Sequence, residues 1–137
     1  MVGVGGVVIA GGRALLIRRG SAPLKGEWSI PGGMLEVGET IAEGVQRELL
    51  EETALEVKVL DLIEVFERIS PDDTGRHKYH FVILDYLCEL VRGEPRAGSD
   101  VTAVAWAAEP ELARYSLTPT ATRVIQKAFD LTRGRAS

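Results

Sequence analysis

Two apolar runs open the chain, Val2 to Ala10 and Arg13 to Arg18, separated by Gly11-Gly12. Consecutive glycines readily supply the positive φ angles of a tight turn, so this pattern predicts a β-hairpin. The next stretch, 19 to 39, breaks the apolar pattern with Pro23, Gly26, Pro31, Gly32, Gly33 and Gly38. It reads as an extended functional loop, with a short strand at Trp28 to Ile30. Thr40 and Glu43 form a capping box at a helix start, and the helix is expected from about 41 to 53. Within it Ile41, Val45 and Leu49 form an apolar row at about 100° per residue. Val57 to Ile69 and Tyr79 to Val91 are β-rich and flank the polar stretch Ser70 to Arg76, which predicts long antiparallel partners. Val101 to Ala107 adds a strand, a brief turn or helix follows Pro110, and Thr118-Pro119 opens a closing helix. The tail after Thr132 is expected to fray.

The 137 residues, 45% of them hydrophobic and 26% charged, suit one compact domain over 1–137. A formal net charge of −4 argues against a nucleic-acid polymer as partner. The apolar start is interrupted by Gly3, Gly5 and Gly6 and lacks a preceding basic residue, so neither a signal peptide nor a membrane partner is expected. Cys88 stands alone, without zinc-ligand spacing around it, and is expected to be a buried structural thiol in a cytoplasmic protein.

The chemistry concentrates between Gly33 and Leu55. Glu52 falls nearly in line with Val45, and Glu48 borders the same apolar stripe, so two carboxylates point toward the interior edge. Glu48, Glu51 and Glu52 lie three and four positions apart and repel one another when ionised. A hard divalent cation with oxygen ligands relieves both the repulsion and the cost of burial. Taken alone, the cluster also reads as a solvated helix face in which Arg47 pairs with Glu51 or Glu43.

The segment as a whole resembles the Nudix box, G-x5-E-x7-R-E-U-x-E-E-x-G-U with U aliphatic. Gly33, Glu39, Arg47, Glu48, Leu49, Glu51, Glu52 and Leu55 match it, and Ala54 departs from its second glycine. That alanine either costs about 1 kcal/mol at a left-handed helix end or marks a longer helix. The run from Leu15 to Arg19, the run from Lys25 to Gly33, and Asp100 preceding Trp106 extend the resemblance beyond the box.

The resemblance implies the α/β class, as a Nudix-type α/β/α sandwich with a mixed β-sheet between helices. It implies a pyrophosphohydrolase in which Glu48, Glu51 and Glu52 bind Mg²⁺ or Mn²⁺ with help from the carbonyl of Gly33. Arg47 would orient the glutamates, Glu39 would brace the loop against the helix, and Glu48 or Asp100 would serve as general base. Leu49 and Leu55 take the motif's structural aliphatic positions. Gly32 would let backbone approach the phosphates. Arg18, Arg19 and Lys25 could neutralise a phosphate, and Trp28, Phe66 or Tyr79 could stack on a base.

Likeness to the ADP-ribose pyrophosphatase branch favours a small-molecule nucleotide substrate, ADP-ribose, cleaved to AMP and ribose 5-phosphate. The alternatives are a nucleoside triphosphate pyrophosphohydrolase and a non-catalytic nucleotide-sensing module, the latter disfavoured by the intact glutamates. A homodimer is the possible assembly, because pairing would cover exposed strand edges.

Overall fold

The computed structural model describes residues 1–21, 25–71 and 78–136, apart from the side chains of Ser70, Lys78 and Ala136. Pro23 of the expected loop and the polar turn at Asp72 to Arg76 lie outside the described residues. The chain forms β1 (Val2–Ala10), β2 (Arg13–Arg19), β3 (Trp28–Ser29) and β4 (Gly32–Met34), followed by α1 (Ile41–Thr53). β5 (Glu56–Pro71), β6 (Lys78–Arg92) and β7 (Val101–Ala108) complete the strands. A 3₁₀ helix, Glu109–Tyr115, and α2 (Pro119–Ala136) close the fold.

Gly11 and Gly12 turn the opening hairpin with φ of 58° and 76°. β1 then serves two neighbourhoods: it runs parallel to β6, Val2 opposite Val82 through Val8 opposite Cys88, while its other edge takes β4 antiparallel. β2 carries β7 along its length and β3 near its end, and β5 and β6 pair antiparallel as expected. The sheet is therefore mixed.

Alternation along β1 assigns its two faces. Val4 and Val8 pack with Val45, Leu49, Leu55, Val57 and Cys88 beneath α1. Val7 packs with Leu87, Val124, Ile125 and Ala128 beneath α2. Two apolar layers on either side of one sheet make the α/β/α sandwich. Cys88 is buried, and desolvation pushes its thiol up to about 12, so it stays protonated as a core group. Among the described residues no helix is long and apolar enough to cross a membrane.

Both α-helices are fixed at their starts by the caps expected from sequence. The Thr40 hydroxyl accepts from the Glu43 N–H at 3.2 Å, and the Glu43 carboxylate accepts from the Thr40 N–H at 2.8 Å. Thr118 Oγ1 accepts from the Ala121 N–H at 3.1 Å at the head of α2. Of the tail expected to fray after Thr132, residues 133–136 are helical, and Ser137 lies outside the described residues. α2 continues to Ala136, with Arg133 paired to Glu109 at 3.0 Å and Arg135 to Asp61 at 2.6 Å.

Ala54 resolves the open question at the box's missing glycine. It sits left-handed at φ 64°, directly after α1 ends, and its N–H donates to Leu50 O at 3.0 Å. A Cβ there is strained, so Ala54→Gly is expected to stabilise the protein by about 0.5–1 kcal/mol. A thermal melt reads the gain as a Tm raised by roughly 2–4 °C. An unchanged or lowered Tm would mean that the local backbone tolerates the alanine without cost.

Candidate active site

Three elements meet at one end of α1. β4 brings Gly32 and Gly33 alongside the middle of β1, α1 projects its acidic edge toward them, and the end of β2 supplies Arg19. Glu52 is buried at 5% exposure. Its Oε1 accepts from the Gly32 N–H at 2.8 Å, and its Oε2 lies 3.3 Å from Arg19 Nη1. Desolvation pushes the Glu52 carboxyl up to about 7, opposed by the Gly32 hydrogen bond and Arg19 and reinforced by the charges of Glu48 and Asp100.

Glu48 is nearly buried, and its carboxylate lies against Gly33. A Cβ at Gly33 would stand 2.4 Å from Glu48 Oε1 and 2.5 Å from Oε2. Glycine is needed here because a carboxylate fills the space that a side chain would take. Glu51 is more exposed, at the rim.

Arg47 organises this acidic edge. Its Nε and Nη2 donate to the two oxygens of Glu39 at 2.9 and 2.6 Å, and Nη1 donates to Glu48 Oε1 at 2.9 Å. Nη2 also donates to the Met34 carbonyl at 2.9 Å, while Nη1 reaches Glu51 at 3.4 Å. Glu39 accepts a further bond from the Glu36 N–H at 2.9 Å. The Arg47 guanidinium, followed by that backbone donor, holds Glu39 down at about 2, so it remains ionised. Arg47 thereby ties strand, loop and helix together, and Glu43, an alternative partner by spacing, is engaged at the helix cap instead.

The end of α1 is secured by residues distant in sequence. Gly98 N donates to the Glu52 carbonyl at 3.1 Å, Arg96 N donates to that of Thr53 at 2.8 Å, and the Thr53 hydroxyl donates back to Leu49 O at 2.6 Å. The same connection presents Asp100, an exposed residue whose carbonyl accepts from Gly20 N at 2.6 Å. Asp100 is thus held beside Arg19, close enough for its charge to act on Glu52.

Next to this cluster a cleft of about 220 Å³ opens on the α2 face of the sheet. Arg19, Gly32 and Gly33 line one part, and Phe66, Phe81, Ile83 and Asp85 line another. Arg18 and Trp28 are not among its lining residues. Arg18 lies over the Trp28 ring at 5.8 Å and donates to Thr102 Oγ1 at 3.0 Å, and Trp28 meets Tyr115 edge-on at 5.0 Å. Lys25 is exposed, and Tyr79 is half exposed, beside Phe81 at 6.3 Å. Sequence reasoning passed over Phe81 and Asp85, because each sits inside a strand where alternation alone assigns no role.

A family model described as the NUDIX domain matches residues 1–128. The chain belongs to the Nudix family. It is 39% identical over 99 residues to a protein of Methanocaldococcus jannaschii named ADP-ribose pyrophosphatase, covering 72% of this chain. The chain spans only 56% of that relative's length. It is 36% identical over 110 residues to a putative 8-oxo-dGTP diphosphatase 2 of Mycobacterium tuberculosis, covering 80% of this chain and 74% of that protein. Among solved structures, a MutT Nudix hydrolase from Burkholderia pseudomallei matches with a TM-score of 0.79 at 31% identity, covering 92% of this chain and 95% of its own.

Nudix hydrolases generally need divalent metal ions. The donors near Gly33 suit one chemically, being hard carboxylate oxygens, one of them buried where its charge is penalised. Among the described residues no three acidic, His or Cys side chains are grouped closely enough to hold an ion, and Arg47 is the present partner of Glu48 and Glu51.

Proposed function

We propose that this chain is a divalent-cation-dependent pyrophosphohydrolase whose substrate is a nucleoside diphosphate joined to a second group, with ADP-ribose cut to AMP and ribose 5-phosphate. The observation that carries the reading is the buried Glu52 carboxylate, held by the Gly32 N–H and by Arg19, two residues that also line the adjoining cleft. The relative named ADP-ribose pyrophosphatase supports the choice of substrate.

Glu48, Glu51 and Glu52 would hold Mg²⁺ or Mn²⁺, with the carbonyl of Gly33 as a further donor. Bound there, the cation would supply Lewis-acid polarisation and offset the charge gathering on the departing phosphate. Arg19 lines the cleft beside Gly32 and Gly33, where it meets the diphosphate. Glu48, oriented by Arg47, or Asp100 at the rim takes the proton from the attacking water. Arg47 acts as a positioning residue, since its five donors are spent on Glu39, Glu48, Glu51 and Met34 O.

A second reading, pyrophosphohydrolysis of nucleoside triphosphates, is favoured by the mycobacterial relative's name and its longer match. Products decide between the two. With Mg²⁺ present, ADP-ribose is expected to yield AMP and ribose 5-phosphate, and excess chelator is expected to abolish this. Intact ADP-ribose beside a triphosphate cut to monophosphate and pyrophosphate would establish the second reading.

For assembly, we propose a homodimer of a cytoplasmic enzyme. Leu62, Val65 and Ile69 are 46%, 49% and 57% exposed along β5, an edge of the sheet, and pairing would cover them. Light scattering on the eluting protein tests it, and a monomer mass at high concentration removes the dimer.

A further inference from the structure

The α2 face of the sheet is apolar along most of β1 and β6, yet one register position carries two exceptions side by side. Gly5 stands opposite Asp85 in the parallel pairing of these strands. Asp85 is only 3% exposed. Gly5 is what makes room for it, because a Cβ there would meet Asp85 Oδ1 at 2.4 Å. Two residues further on, the same face holds Val7 opposite Leu87, both in the apolar core. A buried carboxyl costs several kcal/mol unless it is paired, so an unpaired one needs a reason.

Asp85 has no hydrogen-bond partner among the described residues. Its strand neighbour is Glu64, a like charge already taken by Arg123 at 2.7 Å and Lys127 at 3.4 Å. Burial, then the charge of Glu64, pushes the Asp85 carboxyl up to about 6, with Arg68 in partial opposition. No side-chain oxygen sealed from solvent lacks a partner among the described residues, so the free valences of Asp85 open onto the cleft it lines. Around it the cleft is walled by Phe66, Phe81 and Ile83. Phe66 and Phe81 give flat apolar walls beside the Asp85 acceptor, with Arg68, Ser29, Thr118 and Thr120 supplying further polar groups of the lining. A flat wall next to a carboxylate acceptor suits a heteroaromatic ring that carries an N–H donor.

Position separates a base from a ribose. Gly32 and Asp85 lie on the same row of the sheet, with only Gly5 between them, which puts their backbones about 10 Å apart, two strand spacings. With the diphosphate at Gly32 and Gly33, a ribose spans the interval and the base reaches Asp85.

We propose that Asp85 selects the base of the nucleotide, its carboxyl accepting a hydrogen bond from the exocyclic amino group of an aminopurine laid against Phe66 and Phe81. The proposal rests on the nucleotide-hydrolase reading for the placement of the diphosphate, but its test requires no turnover.

Binding to the full chain in Mg²⁺ is measured by calorimetry for AMP against purine riboside 5′-monophosphate, and for GMP against IMP. Each pair differs by one amino group. Wild type is expected to prefer the amino-bearing member of at least one pair by roughly 10–100-fold, the range of a hydrogen bond to a charged acceptor. Asp85→Leu is expected to cut that preference below about threefold, and Asp85→Asn, which keeps one carbonyl acceptor, to leave part of it. The asparagine variant also stands in should the leucine variant fail to fold.

The proposal is overturned if folded Asp85 variants keep the wild-type preference or if wild type shows none. It is equally overturned if neither AMP nor GMP binds, or if affinity follows removal of the 2′-hydroxyl instead of the amino group. Failure to cleave ADP-ribose, with the amino preference present and lost on substitution, removes the substrate assignment and leaves Asp85 in its role.

Discussion

Glu52→Gln is expected to lower turnover roughly 10²–10³-fold, which corresponds to ~3–4 kcal/mol of barrier, while leaving the fold intact. The glutamine carbonyl can still accept from the Gly32 N–H where Oε1 does so at 2.8 Å. Its amide NH₂, however, replaces the oxygen facing Arg19, setting donor against donor and removing the buried negative charge from the site. Stability moves the other way. Glu52 is raised from its unperturbed 4.5 to about 7, chiefly by burial. Between those values the unfolded chain ionises while the folded one retains its proton, so metal-free wild type loses stability as pH rises through this window. Below the window nothing is lost. In chelator, Glu52→Gln should therefore gain on wild type in thermal melts from pH 5 to pH 8. Wild-type turnover in the folded variant would remove Glu52 from the reaction, and a stability difference flat with pH would contradict its burial as a free acid.

How far this site could be read in advance depended on the range of the interactions that build it. Local rules sufficed where neighbours in sequence satisfy one another, as in the Gly11-Gly12 turn, the Thr40–Glu43 box and the Thr118 cap. Helical spacing alone aligned Glu52 with Val45, and both are buried. Other features depend on partners far along the chain. Pro31-Gly32-Gly33 resembles a loop until β1 offers an edge, whereupon Gly32–Met34 becomes a strand. The end of α1 relies on N–H groups of Arg96 and Gly98, more than forty residues later. The tail of α2 is held by Glu109 and Asp61, which no local pattern announces. Asp85 is the extreme case. In sequence it is a polar interruption in a strand, and only the pairing of β6 with β1 shows that Gly5 leaves space for it.

Alanine at Gly32 and at Gly33 should produce opposite kinds of damage, although the two positions adjoin and both replace the same hydrogen. At Gly32 the new Cβ would stand 2.4 Å from the Val4 carbonyl oxygen and 2.8 Å from the Gly5 Cα. Those are backbone atoms of the central strand, so relief requires β4 to move off β1, at a cost of about 1–3 kcal/mol or more. A clear fall in Tm is expected, and any loss of turnover accompanies it because Gly32 N anchors Glu52. At Gly33 the three atoms nearest the Cβ all belong to the Glu48 carboxylate, the far end of a flexible side chain. Rotation of that side chain relieves the contact at little cost to folding, but it takes Glu48 away from the position where Arg47 holds it at 2.9 Å. Gly33→Ala is accordingly expected to melt close to wild type while losing about 10–100-fold in metal affinity or turnover, the scale seen when a ligand's support is disturbed. Melting curves and Mg²⁺ titrations of the two variants separate these effects. A Gly33→Ala protein with wild-type Mg²⁺ dependence and rate would show that the placement of the Glu48 carboxylate is immaterial, leaving Glu52 and Asp100 to carry the chemistry.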